Sequence, residues 1–189
     1  MTGRLLRTIR LDASDTVVFA EPAEPGEWAV SGGFLWAGRD VEALGRKERI
    51  AFRSGFVGAA SFGFSTLVVV SEATAEERAA AVEALAQRFV ERLGAPDTAT
   101  ARPAAEEEIA YAASLCDGHG VNTLIALHRT LDPDGEVREQ FRTLRPRQET
   151  SLGGANLRGH ERAFSIVETD DEAPEERVDL VDLLKGRAR

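Results

Sequence analysis

Cys116-Asp117-Gly118-His119-Gly120 is the stretch whose residue types come closest to a chemical site. A thiol and an imidazole with two residues between them can make a thiolate–imidazolium pair, or half of a zinc site, which takes three or four protein ligands. The other histidines, His128 and His160, fall in a strand and in the C-terminal region, and no spacing brings them to Cys116. The plainer reading makes Cys116 the end of a buried helical stripe and Asp117-Gly118-His119-Gly120 the cap and turn after it. Other chemistries find less support. Gly63-Phe64-Ser65 lacks the second glycine of a nucleophile elbow. Gly55, Gly58 and Gly63 precede a strand, whereas a phosphate-cradling loop joins a strand to the helix after it and carries Gly-Lys-Ser/Thr. Glu106-Glu107-Glu108 has no Glu-x-x-His spacing and reads as a solvated first turn.

A stacking platform is the remaining candidate. Trp28, Val30, Phe34 and Trp36 alternate with Ala29, Ser31, Gly33 and Leu35, which puts both tryptophans on one strand face. Such a pair can hold a flat ligand or a partner. Large aromatics more often supply core area.

The elements that must position these residues centre on Ser61–Leu93. Phe62 to Val70 reads as a covered strand, rich in aromatic and β-branched residues. Thr74-Ala75-Glu76-Glu77 has capping-box spacing, and Val82, Leu85, Ala86, Phe89, Val90 and Leu93 form one apolar stripe down a helix that Gly94 and Pro96 terminate. Upstream, Arg4–Leu11 alternates as a half-buried strand and Thr16–Phe19 reads as a second one. Asp40–Phe56 reads as a short helix with Asp40 as cap, interrupted by Gly45, with Leu44, Ile50 and Phe52 inward. Pro103 suits the first turn of a helix ending at Cys116.

The hairpin over Val121–Leu144 carries the sharpest expectation. Asp132-Pro133-Asp134-Gly135 spells a type I turn with glycine at the left-handed position. The implied register sets Leu131 against Val137, Arg129 against Glu139, Leu127 against Phe141 and Ile125 against Thr143, with His128 opposite Gln140 on the more polar face that Arg138 and Arg142 share.

Beyond Pro146 the composition changes. Leu152–Asn156 is a flexible link, and Arg162–Val167 can add an edge strand through Phe164 and Ile166. Thr169–Arg177 is acidic. Val178, Leu180, Val181, Leu183 and Leu184 line one side of a short amphipathic helix near 178–185 that needs a surface to lie on.

Composition narrows the classes. Hydrophobic content of 43% with 29% charged residues suits a globular chain with a sizeable core. A net charge of −9 repels phosphate backbones and argues against nucleic acid as the main partner. No apolar run is long enough to span a bilayer, and the basic Met1–Arg7 stretch lacks the apolar segment of a secretory signal. One cysteine excludes an internal disulfide and suits the cytoplasm.

Leu5–Asp12, Glu24–Gly32, Ala51–Phe56 and Gln140–Pro146 resemble stretches of a small bacterial family of unknown function, over about residues 4–146. The resemblance brings no activity, cofactor or site residues. It implies an association with the assembly or maturation of molybdenum-dependent redox enzymes.

The expected fold is α+β: a mainly antiparallel sheet of about six strands, two or three helices packed on one face, and an extended C-terminal tail. Residues 1–146 form the domain and 147–189 the tail. The expected function is a non-catalytic accessory protein without cofactor or metal. It acts through Trp28, Trp36 and the apolar residues of 178–184, on another protein or on its own twin subunit. The alternative is a small-molecule enzyme or metal-binding protein using Cys116, Asp117 and His119.

Overall fold

A computed structural model describes residues 2–146 and 166–167. Eight strands make one sheet: β1 (Gly3–Ile9), β2 (Trp28–Val30), β3 (Phe56–Gly58), β4 (Phe64–Ser65), β5 (Leu67–Ala73), β6 (Leu124–Leu131), β7 (Val137–Pro146) and β8 (Ile166–Val167). Their order is β4-β3-β2-β1-β5-β6-β7-β8, and every strand pair is antiparallel. The helices are α1 (Ser14–Val18), α2 (Arg46–Ser54), α3 (Ala75–Leu93) and α4 (Thr98–Ser114). The class is the expected α+β. The strand count exceeds expectation because β4 and β8 are only two residues each.

The sheet curls back on itself. Thr66 alone separates β4 from β5, yet three strands lie between them in the sheet. Two residues of chain reach at most about 7 Å, while four flat inter-strand spacings would need about 19 Å, so only a curled sheet fits. Asp15 clamps the bend. Its buried carboxylate accepts from the Thr66 hydroxyl at 2.8 Å, and from the Thr66 amide and the Ser65 hydroxyl, each at 3.3 Å. This clamp corrects the strand expected at Thr16–Phe19. The segment is the short helix α1, opened by the Asp12 carboxylate accepting the Ser14 amide, and it carries Asp15 inward while Val17 faces solvent. The long strand expected over Phe62–Val70 is likewise broken at Thr66, with Phe62 at a positive φ of 61° in the preceding turn.

The main core joins sheet and helices. Leu5, Leu6, Val68, Val70 and Ile125 pack with Val82, Leu85, Ala86 and Phe89 of α3 and with Ala105, Ile109 and Ala112 of α4. Burying a side chain such as Leu85 contributes about 1.5–3 kcal/mol. The α3 capping box is present, Thr74 accepting from the Glu77 amide at 3.1 Å and Glu77 from the Thr74 amide at 2.9 Å, and Gly94 closes the helix at a φ of 78°. The start of α4 differs from expectation: Asp97 is the cap, accepting the Thr100 amide at 2.7 Å, and Pro103 lies inside the helix. Small residues at 101, 105 and 112 let α4 lie close.

A second cluster holds Phe19, Trp36, Leu44, Ala51 and Phe52. It forms because α2 starts after Gly45 rather than at Asp40, whose carboxylate instead accepts the Glu42 amide in a turn. The two tryptophans do not share a strand face. β2 ends at Val30, Gly32 turns the chain at a φ of 82°, and Gly33–Trp36 is a 3-10 helix. An added Cβ on Gly32 would sit 2.3 Å from Val57 Cγ2, so glycine is required there.

The hairpin register matches expectation at every named pair, from Leu131–Val137 to Ile125–Thr143. Gly135 has a φ of 84°, and the Asp132 amide donates to Glu136 O at 2.9 Å. Of the expected edge strand at 162–167, Ile166–Val167 is described and pairs with Arg145–Pro146. Phe164, His160, the link at 152–156, the acidic stretch at 169–177 and the apolar residues Val178, Leu180, Val181, Leu183 and Leu184 lie outside the described residues. No helix among the described residues is long and apolar enough to cross a membrane.

Candidate functional site

The β6–β7 hairpin gathers the polar features of the fold, because strand alternation gives it two unlike faces. Ile125, Leu127 and Arg129 point into the domain, with Val137, Glu139 and Phe141 beside them. His128, Thr130, Arg138, Gln140 and Arg142 stand in solvent.

Arg129 belongs to the inner face although it is charged. Its side chain is fully buried, and its guanidinium donates to Glu139 Oε1 at 2.7 Å, Gly55 O at 2.9 Å, Phe52 O at 3.0 Å and Ser31 O. The carbonyls come from the C-terminal end of α2 and from the residue after β2, so one side chain ties three distant segments together. Burial favours loss of its proton, and the Glu139 charge opposes that. Glu139 is 12% exposed at its side chain and also accepts from the Tyr111 hydroxyl at 3.3 Å. Glu108, one turn before Tyr111 on α4, is pushed up to about 7, first by burial and then by the negative charges of Glu139 and Glu107. This arrangement stabilises a buried ion pair and raises a second carboxyl until its proton is shared about evenly with solvent near neutrality.

The outer edge of β7 is the second feature. Starting from the Asp132–Glu136 bond, antiparallel alternation turns the N–H and C=O groups of residues 138, 140, 142 and 144 toward β6. The Val70 amide bonded to Thr123 O, across β6 from β7, has the same parity. Val137, Glu139, Phe141 and Thr143 therefore direct their backbone groups away from β6. Among the described residues only Ile166–Val167 pairs on that side, at Arg145 and Pro146. The opposite end of the sheet is closed: Phe64 of β4 donates to Glu21 O and accepts from the Ala23 amide, both at 2.8 Å.

The residues singled out from sequence are distributed differently. Cys116 is buried just past α4, its thiol against Ala112 O, and burial followed by the Asp117 charge pushes it up to about 11, far from a thiolate. Asp117 is exposed, and Gly118 at a φ of 77° turns the chain so that the His119 amide caps Cys116 O at 3.1 Å. Arg4 holds His119 O at 2.6 Å. Cys116 and Asp117 line one open cleft with Arg4, Arg78 and Ser114, a cleft that His119 does not line, and no group of three potential metal ligands occurs among the described residues. Trp36 is 2% exposed and stacks edge-on against Phe52 at 5.6 Å, so it presents no surface to a partner. Trp28 is half-buried beneath the Arg7 guanidinium, 3.8 Å from its ring centroid. Arg129 and Glu139 appeared in the sequence only as a cross-strand pair. The signal that marks them is a charged pair in the middle of an otherwise apolar hairpin face.

Fold and site together define a small α+β domain with an ion pair inside its hairpin and a β7 edge that, among the described residues, is paired only at Arg145 and Pro146. The chain belongs to DUF6505, a family of unknown function, which it matches over residues 1–159. The match runs past Pro146, into the segment that composition sets apart. No curated protein and no solved structure matches the chain.

Proposed function

We propose that the protein is a non-catalytic accessory protein of the cytoplasm that holds a protein partner through the outer edge of β7. The observation that carries this reading is the row of outward backbone groups at Val137, Glu139, Phe141 and Thr143, the template for strand addition. Arg138, Arg142 and His128 line the solvent face beside that edge, so the partner segment is extended and acidic. The family resemblance suggests a molybdenum-dependent redox enzyme under assembly as the partner class. The net charge of −9 favours a protein over a nucleic acid.

Thr143→Pro tests the reading, because it removes an outward amide while leaving the β6 ladder intact. A protein captured by the full-length chain in its own cells, then purified, is expected to bind the wild type and to lose at least about tenfold in affinity for Thr143→Pro, equivalent to about 1.4 kcal/mol. Unchanged affinity, with circular dichroism showing an intact fold, would overturn the reading.

A further inference from the structure

We propose that the outer face of α2 is a docking surface apart from the β7 edge, and that it takes an acidic amphipathic helix of a partner protein. It does not depend on strand addition at β7.

The residues of α2 sort by side. Ala51 and Phe52 are buried in the second core cluster, and Ile50 packs half-buried against it. Arg46, Arg49 and Arg53 follow at steps of three and four residues along one exposed stripe, and with Ile50 they line an open concavity of about 260 Å³. In a chain of net charge −9, this nine-residue helix carries four cations, Lys47 included, and one carboxylate. That carboxylate, Glu48, is already engaged by Arg39 at 3.0 Å and by the Gly45 amide at 3.3 Å. Among the described residues Arg46, Arg49 and Arg53 form no ion pair. Charge and anchoring both point to a surface kept for a partner. Arg46 and Lys47 occupy the first turn, where the helix dipole disfavours cations. Arg49 donates to Glu42 O at 3.2 Å and Leu44 O at 3.1 Å, while at the far end the buried Arg129 holds the carbonyls of Phe52 and Gly55. The stripe is therefore arrayed before a partner arrives.

Three considerations name the occupant. One helix supplies no opposing wall, so a small anion would stay largely in water, whereas a partner element brings the wall with it. At about 1.5 Å of rise per residue the three arginines spread over about 10 Å, the spacing of carboxylates at i, i+3 and i+7 on a facing helix. A nucleic acid or an anionic bilayer extends well past the screening length of about 8 Å and meets the negative charge of the whole chain; a short acidic helix meets the stripe alone. Ile50 receives the apolar side of that helix.

The full-length chain, isotope-labelled for NMR, tests this by titration in about 0.15 M salt with a synthetic helical peptide bearing glutamates at i, i+3 and i+7 beside a leucine stripe. The expected result is shifts centred on α2, the Ile50 methyl included, with an affinity at least about tenfold above that of a scrambled peptide of the same composition. Arg46→Glu removes an unfavourable first-turn charge, so it is expected to leave Tm equal or higher while weakening the peptide at least about fivefold. Arg53→Gln, which leaves the first turn alone, is expected to weaken it at least about threefold. Equal binding of the scrambled peptide, shifts confined to the β6–β7 hairpin, or unchanged affinity in either variant would overturn the proposal. So would tighter binding to phosphatidylglycerol vesicles or to duplex DNA than to the peptide.

Discussion

Arg129→Met is the substitution with the largest expected effect on the fold. Methionine roughly fills the stem of the arginine but leaves the carbonyls of Ser31, Phe52 and Gly55 without their donor, and Glu139 without its counter-charge. Removing one partner of a buried ion pair costs about 3–5 kcal/mol, and each stranded buried carbonyl up to about 1–3 kcal/mol. Water reaching in past Glu139 offsets part of this, so the expected loss is about 4 kcal/mol, against a total stability of about 5–15 kcal/mol. With a urea dependence of about 2 kcal/mol per molar, the unfolding midpoint falls by about 2 M. Equilibrium urea titration by tryptophan fluorescence and circular dichroism measures it. Glu139→Met and the double variant Arg129→Met with Glu139→Met complete a double-mutant cycle, in which the double variant is expected to be no less stable than Arg129→Met alone, with a coupling energy of at least about 2 kcal/mol. A midpoint for Arg129→Met that implies a loss below about 1 kcal/mol at unchanged slope would refute the claim that this side chain joins α2, β2 and the hairpin.

Glu108→Gln tests the raised carboxyl. A folded value of about 7 against the ordinary 4.5 means the folded state holds the proton more tightly, so this stability is fully present below pH 4.5 and lost as pH rises through about 7. The side chain keeps partial access to solvent, which reduces the effect to about 1 kcal/mol, and the variant is expected to flatten the decline of stability between those values in pH-dependent melts. Gly32→Ala combines a positive φ with the contact on Val57 and is expected to lower stability by about 2–4 kcal/mol in the same urea assay. Cys116 is expected to resist alkylation by iodoacetamide at pH 8 in the folded protein and to react rapidly in 6 M guanidinium, as mass spectrometry would show.

What the sequence disclosed depends on how local each cause is. The hairpin and α3 were legible because their determinants, Asp132–Gly135 and Thr74–Glu77, act within a few residues of themselves. The tryptophans misled because the alternation from Trp28 to Trp36 continues across Gly32 and Gly33, where the backbone leaves the strand. Thr16-Val17-Val18-Phe19 has strand-forming residues but folds as a helix, since Asp15 must reach Ser65 and Thr66, fifty residues away. Pro103 suggested a helix start, while the true cap was the Asp97 carboxylate. The Arg129–Glu139 pair was readable across the hairpin, yet its carbonyl partners lie 74–98 residues upstream, beyond any local pattern.

The closure of the sheet at β4 limits how copies of this protein can join. A filament built by strand addition needs two complementary free borders on each molecule, one to donate and one to receive. Here the Glu21–Ala23 segment occupies one border, and among the described residues β7 presents the other, paired only at Arg145 and Pro146. Pairing of two identical β7 strands is self-complementary and uses up both, so self-association along this route stops at a two-fold dimer instead of propagating into fibres.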